Sequence, residues 1–272
     1  MKHYILMLSA LVAVSAGRAQ VAVHEKSPKT KYAFTLASPR QTAAILYDAS
    51  DAAVVKRAAE LFAADVEAVT GRYPRVTSAA GETGPAVIVG TVGGSALIRR
   101  LAEAGKIDTA PLEGAWERYL IQTVANPLPG IRKALVIAGS DRRGAAYGLF
   151  TLSELIGVSP WYWWADVPVK KHAALHVDAP PTYSQTPSVR YRGIFLNDED
   201  WGLTPWASQT FEPERGNIGP RTYAKVCELL LRLKANYLAP AMHPVSTSFN
   251  QIPENKLVAD TFAIVMGSTQ DR

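Results

Sequence analysis

The chain has a single cysteine, Cys227, among its 272 residues. No internal disulfide can form, so the fold must rest on packing and hydrogen bonds. Cys227 lies in a helical pattern, where a buried structural thiol is the plain reading. Histidine is scarce, with five in all, and no His/Cys ligand cluster or calcium-loop spacing occurs. The acids Asp198, Glu199 and Asp200 would attract a cation on charge alone, but nothing else supports a metal site, and no cofactor is implied. Lys and Arg number 29 against 24 acids, yet they are dispersed. The pairs Arg99-Arg100, Arg142-Arg143 and Lys170-Lys171 are isolated, which argues against a nucleic-acid groove. Phosphate-binding fingerprints are missing too. Gly139–Gly148 has neither the Lys-Ser/Thr ending of a P-loop nor dinucleotide spacing, so it reads as a strand-to-helix turn. Gly90–Gly94 is a turn on the same grounds. No segment is both long and apolar enough to span a bilayer.

What is present begins at the N-terminus. Lys2 and His3 precede an apolar stretch, Tyr4 to Ala16, followed by Gly17-Arg18-Ala19-Gln20. A short basic start, a short apolar centre and small residues at a cut site describe a secretory signal peptide over residues 1–19, with Ala16 as the alternative cleavage point. The protein is therefore expected to be exported, to the periplasm or beyond the cell.

Residues 20–180 read as an N-terminal mixed α/β domain. Thr42–Tyr47, Ala86–Val89, Tyr119–Thr123 and Ala134–Ala138 have strand character. From Asp51, the residues Val54, Ala58, Leu61, Phe62, Val66 and Val69 share one helical face, and Gly71 supplies the stop. A second helix spans Ala145–Ile156. Strands and helices that alternate in this way build an α/β layer structure. Residues 178–188, rich in proline and small residues, read as a linker. Just before it, Trp161-Tyr162-Trp163-Trp164 packs four aromatics together, either as an inter-domain wedge or as a wall facing a sugar.

The segment that carries most chemistry is Tyr191–Gly202. Its apolar run Ile194-Phe195-Leu196 reads as a strand buried on both faces, and it ends in Asn197-Asp198-Glu199-Asp200-Trp201. Acids just past such a strand sit where parallel α/β folds build active sites. A solvated acidic loop is the plainer alternative. After a long loop, Gly219-Pro220 opens a helix on which Val226, Leu230 and Leu233 keep helical spacing, with Asn236 as its left-handed stop. Tyr237–His243 and Phe262–Gly267 read as further strands, with His243 at a carboxyl end. Residues 181–272 thus read as the first strands of an incomplete (β/α)8 TIM barrel. A closed barrel takes about 250 residues, so the chain reads as truncated.

Ser159–Lys171, Tyr191–Ala207, and Pro253-Glu254-Asn255-Lys256 with Val258-Ala259-Asp260 resemble glycoside hydrolase family 115, the xylan α-1,2-glucuronidases. The resemblance implies a longer, inverting enzyme that removes (4-O-methyl)glucuronic acid from glucuronoxylan or decorated xylooligosaccharides, with homodimerisation of the longer protein left open. Inversion uses two carboxyl groups about 6.5–9.5 Å apart. By the resemblance Asn197 and Asp198 match positions lining the family's active site and Glu154 one that reaches its pocket. Asp198 and Glu154 are taken as the catalytic residues, with Glu199 and Asp200 as runners-up within the acidic triplet. Trp201 and Trp164 are sugar-stacking or pocket-wall candidates, and His243 is a substrate contact at its strand's carboxyl end. Glu154 taken alone is a helix-end surface acid. The general acid is expected on later strands, which leaves the chain inactive by itself. Ala239, where the family commonly has an aromatic, and Pro244 depart from the pattern on the second barrel loop. Two other classes stay open: a non-catalytic secreted carbohydrate-binding protein, and a β-hexosaminidase-like barrel enzyme using Asp198-Glu199 as its dyad. Mass spectrometry of the exported protein should find Gln20 at its N-terminus. An intact Met1 in the exported protein would overturn the signal-peptide reading.

Overall fold

The computed structural model describes residues 20–79, 81–197, 200–240 and 245–267. The signal segment, Asp198, Glu199 and His243 lie outside these residues. In chain order the elements are β1 (Ala22–His24), β2 (Ala33–Ala37), β3 (Ala44–Leu46), α1 (Ala53–Thr70), β4 (Val76–Thr77), β5 (Ala86–Thr91) and α2 (Ala96–Glu103). Next come β6 (Tyr119–Leu128), β7 (Ile131–Gly139), α3 (Arg142–Leu155), β8 (Leu175–Asp178) and β9 (Thr182–Tyr183). The chain continues with β10 (Gly193–Phe195), α4 (Leu203–Trp206), α5 (Pro220–Arg232), β11 (Tyr237–Ala239), α6 (Pro253–Thr261) and β12 (Val265–Met266).

The first unit is built on a six-stranded sheet of order β4-β3-β5-β7-β6-β9. Its first four strands are parallel, and β6 and β9 add antiparallel. β5 is buried along its whole length because helices cover both faces. Val87 and Val89 join the core beneath α1 and α3, whereas Ala86 and Ile88 join the one beneath α2. This two-sided burial explains the unbroken apolar runs. α1 ends at Gly71, whose φ of 74° is the left-handed conformation that glycine adopts without a Cβ penalty. Asp141 caps α3 by accepting from the N–H groups of Arg143 and Gly144. A carboxylate therefore occupies the end of α3 where a phosphate cradle would need an anion. The proline-rich stretch is no free linker: Thr182 and Tyr183 form β9 and pair with β6, while Ala179 packs in the core.

The second sheet holds β10, β11 and β12, all parallel and in sequence order. Gly193 opens β10 directly against the backbone of Tyr237; a Cβ there would lie 1.8 Å from the Tyr237 carbonyl oxygen. α5 packs on α3 and α6, and α6 also reaches α1. One continuous apolar core consequently runs from the first sheet through four helices to Leu238 and Ile264. Three expectations fail here. β10 is exposed rather than buried on both faces, with Ile194 at 38% and Phe195 at 56% exposure, because the helices of the described residues cover the sheet from one side. Lys234, not Asn236, takes the left-handed φ after α5; Asn236 is buried instead and uses its side chain as described below. Finally, the segment between the strands Tyr237–His243 and Phe262–Gly267, which the sequence reads as a second loop, contains the helix α6, because Pro253 at its first turn fixes a helical φ.

Two polar networks cross between the units. Arg232 of α5 is buried and donates two parallel hydrogen bonds to Asp65 of α1, at 2.8 and 2.9 Å, and one to Glu228 at 2.9 Å. Its guanidinium also lies within 4.9 Å of the ring centres of Phe150 and Tyr162. Burial opposes the Arg232 charge, but its bonds to Asp65 and the attraction of Glu228 outweigh that and hold the group firmly ionised. On the next turn of α5, burial pushes the Cys227 thiol up to about 12, so the lone cysteine is an inert packing group. The second network centres on Glu117, which is 2% exposed and has a φ of 55°. It accepts from Arg143 Nε and Asn236 Nδ2, each at 2.6 Å, and from Arg192. Substitution Arg232→Ala leaves Asp65 buried without its partner, and should lower unfolding free energy by about 3–5 kcal/mol in a urea titration. A loss below about 1 kcal/mol would show that the pair is not a structural tie.

Candidate active site

The Glu117 network fixes which end of the second sheet is anchored. Arg192 immediately precedes β10, and Asn236 immediately precedes β11. Asn236 accepts from Arg192 N–H at 2.9 Å and donates to the Arg190 carbonyl at 2.7 Å. Arg143 reaches the carbonyl of Ala263, shortly before β12, at 3.0 Å. All three strands are thus tied down at their N-terminal ends. Their C-terminal ends point the other way, and there the chain opens into the loop starting at Asn197.

That loop is solvent-facing. Asn197 and Asp200 are exposed, and Trp201 is 81% exposed. The loop then winds into α4 and a five-residue π-helical turn, Ala207–Phe211, where the sequence suggested irregular chain. The wider turn brings Phe211 onto Trp206, with ring centres 5.0 Å apart and planes 14° from parallel. Glu212 follows and is buried. It accepts from the N–H groups of Gly219, Arg221 and Thr222 and from the Thr222 hydroxyl, at 2.6–3.0 Å. It therefore caps α5 from outside the helix and is fully used in that task.

The aromatic run Trp161–Trp164 meets this loop. Tyr162 donates to Glu228 at 2.9 Å, and Trp164 Nε1 donates to the Lys225 carbonyl at 3.2 Å, so both wedge against α5. Trp163 stands edge-on to Trp164, Trp206 and Phe211. Between the two segments lies an open recess of about 660 Å³, with Trp163, Trp164 and Asp166 on one side and Gly202, Leu203 and Trp206 on the other. The wedge and the recess wall are the same residues. A second recess, about 340 Å³, lies beside α2. Its acids are engaged: Asp48 caps α2 at Ala96 N–H, and Glu82 is paired with Arg75.

The structure separates Glu154 from the described residues of the acidic loop, Asn197, Asp200 and Trp201. Glu154 accepts from Lys234 Nζ at 2.8 Å and stays 44% exposed. Lys234 precedes β11, whereas Asn197 follows β10, and these strands run parallel. Glu154 and the acidic loop therefore mark opposite ends of the sheet. Trp164 and the Gly202 end of the loop do come together, with Trp163 from the same predicted aromatic wall and with Trp206 and Asp166, which sequence reasoning did not single out. The density of tryptophan was the available signal for Trp163. Trp206 became legible only through the π-turn that pairs it with Phe211. Among the described residues no group of three or more His, Cys, Asp or Glu is placed to hold a metal ion, and no helix is long and apolar enough to cross a membrane.

Residues 184–271, which hold the second sheet and the acidic loop, match the profile of glycosyl hydrolase family 115. Among solved structures, the chain is similar to a family GH115 4-O-methyl-α-glucuronidase, BtGH115A, described as having specificity for decorated arabinogalactans. That likeness has 38% identity and a TM-score of 0.71, over 87% of this chain and 29% of that one. The chain belongs to glycosyl hydrolase family 115. It spans under a third of that relative's length. Looser likenesses include a Flavobacterium johnsoniae chitobiase, 14% identical with a TM-score of 0.48 over 91% of this chain and 32% of that one. A Streptomyces plicatus β-hexosaminidase variant is also 14% identical with a TM-score of 0.48, over 89% of this chain and 43% of that one. No curated protein gives a significant match.

The Glu154–Lys234 pair is solvent-facing, so Glu154→Gln should shift unfolding free energy by less than about 1 kcal/mol. Glu212→Ala should cost about 2 kcal/mol or more, since it strips four bonds from a buried helix end. Thermal melts of the two variants check the contrast, and equal losses would contradict it.

Proposed function

We propose that this protein serves the removal of glucuronic acid, or its 4-O-methyl ether, from a decorated polysaccharide by inverting glycoside hydrolysis. The observation that carries the reading is its 38% identity, across 87% of the chain, to an enzyme described as a 4-O-methyl-α-glucuronidase. Glucuronoxylan is the substrate class suggested by the sequence resemblance, and the neighbour's decorated arabinogalactan is the other. We read β10, β11 and β12, parallel and consecutive, as the opening strands of a (β/α)8 barrel that begins near residue 181. In such barrels the reacting groups stand on loops at the C-terminal ends of the strands.

On that reading Asp198 is the carboxylate that orients and deprotonates the attacking water. Inversion sets it about 6.5–9.5 Å from the acid that protonates the leaving oxygen. Glu199 and Asp200 adjust the local charge, and Asn197, Trp201 and His243 contact the sugar. Glu154 is left out of this set, since its position at the anchored end of the sheet gives it a structural partner in Lys234. Export by the N-terminal segment would place the enzyme where polysaccharides are met. Asp198→Asn, assayed in the enzyme that carries this chain, should lower uronic acid release about 10²–10⁴-fold. Proton NMR of the first product should show the β-anomer. Undiminished release would remove Asp198 from the mechanism, and an α-anomer product would remove inversion.

A further inference from the structure

We infer that the recess lined by Trp163, Trp164, Asp166 and Trp206 is a binding subsite for a neutral pyranose of the polysaccharide backbone, held by contact with the indole rings and by the Asp166 carboxylate. The inference deepens the glycan-processing reading above and rests on it. It concerns a different part of the ligand from the acidic sugar that is released.

Three features of the recess point this way. Its volume, about 660 Å³, lies in the range of small-molecule sites. Its walls are indole rings held in place from behind. Phe211 stacks on Trp206, Trp164 is tied to α5 through Nε1, and Trp163 stands edge-on against three rings. A rigid aromatic wall offers the apolar face of a pyranose a large contact at little entropic cost. The third feature is Asp166 at the rim. It is exposed, has a φ of 50°, and makes no hydrogen bond or ion pair among the described residues. A free carboxylate accepts hydrogen bonds from vicinal hydroxyls and repels a second carboxylate.

The charge decides between ligands. Arg221 lies over the Phe211 ring at 4.8 Å and is paired with Glu214 at 3.1 Å, and Lys225 lies over the Trp163 ring at 5.0 Å but is paired with Glu228 at 3.0 Å. Both charges are therefore neutralised by their partners, and the rim stays negative. A uronate is disfavoured there, whereas xylose or galactose is not. Xylan and galactan backbones share this neutral ring chemistry, so the ligand panel must separate them.

The test is isothermal titration of the protein with β-1,4-xylotetraose, β-1,3-galactotetraose and free glucuronic acid. One neutral oligosaccharide should bind saturably, and more tightly than glucuronic acid; which one does so names the backbone. Asp166→Asn is a safe variant, because asparagine accepts the left-handed φ as readily as aspartate and the site is exposed. It should weaken the neutral ligand about fivefold and leave glucuronic acid no weaker. Trp206→Ala should abolish neutral binding; circular dichroism shows whether that variant is folded, and Asp166→Asn decides if it is not. Absent neutral binding, affinity untouched by Asp166→Asn, or preference for glucuronic acid would each overturn the subsite. If uronic acid release fails in the enzyme assayed for Asp198 above while neutral binding persists, the glucuronidase reading falls and the subsite stands. If release occurs without neutral binding, the subsite falls and the glucuronidase reading stands.

Discussion

A buried carboxylate must find partners or lose its charge, and Glu117 finds them at the starts of two strands in the second sheet. Arg192 and Asn236 bring in β10 and β11, while Arg143, from the first unit, bonds Glu117 and also extends to the backbone just before β12. Desolvating one acid and two guanidinium groups is expensive, and it is tolerated only where geometry satisfies nearly every donor. The left-handed backbone of Glu117 adds roughly 1–3 kcal/mol of local strain. That strain persists because Asp141, already the cap of α3, also accepts from the Glu117 N–H at 2.7 Å. One short segment thus ties the cap of helix α3 and the start of β6 to the anchored end of the second sheet.

The seam above this point is of another kind. Arg232, sandwiched between Phe150 and Tyr162 and clamped by Asp65, joins helices rather than strands. Around it the apolar core is continuous, so the helices α1, α3, α5 and α6 form a shared layer. The aromatic run then carries the seam outward to the surface, where wedge becomes recess wall. Structural and binding surface are therefore two sides of the same indole rings.

Much of the first unit was legible because its signals were local. Helix α1 announced itself through its apolar spacing and Gly71, and β5 and β7 through unbroken apolar runs that match two-sided burial. The strands of the parallel sheet after residue 190 were legible from their apolar runs too, but their burial was not. What escaped depended on long-range partners. Asn236 looks like a helix stop because asparagine tolerates left-handed backbone, yet its side chain is claimed by Glu117, 119 positions earlier. Thr182 and Tyr183 sit among prolines, but a free edge on β6 draws them into a strand. Ile194 and Phe195 carry the composition of a covered strand, and composition does not say which faces other elements cover. At the candidate site the acidic loop was legible as sequence, whereas Asp166 and Trp206 became neighbours only through the fold. The separation of Glu154 from the loop also needed the fold, since only strand direction reveals it.

Anchoring the parallel strands at one end only has an evolutionary corollary. The buried charge network that docks the second sheet is made before β10, β11 and β12 begin, so among the described residues it does not depend on what the chain does after each strand ends. Loops there can lengthen, exchange residues or acquire insertions without disturbing the buried charges that dock the unit. Drift in substrate preference is therefore separated from drift in foldability, and relatives should diverge most in the loops beyond the strand ends. Residues such as Gly193, pressed against the Tyr237 carbonyl, are by contrast closed to change.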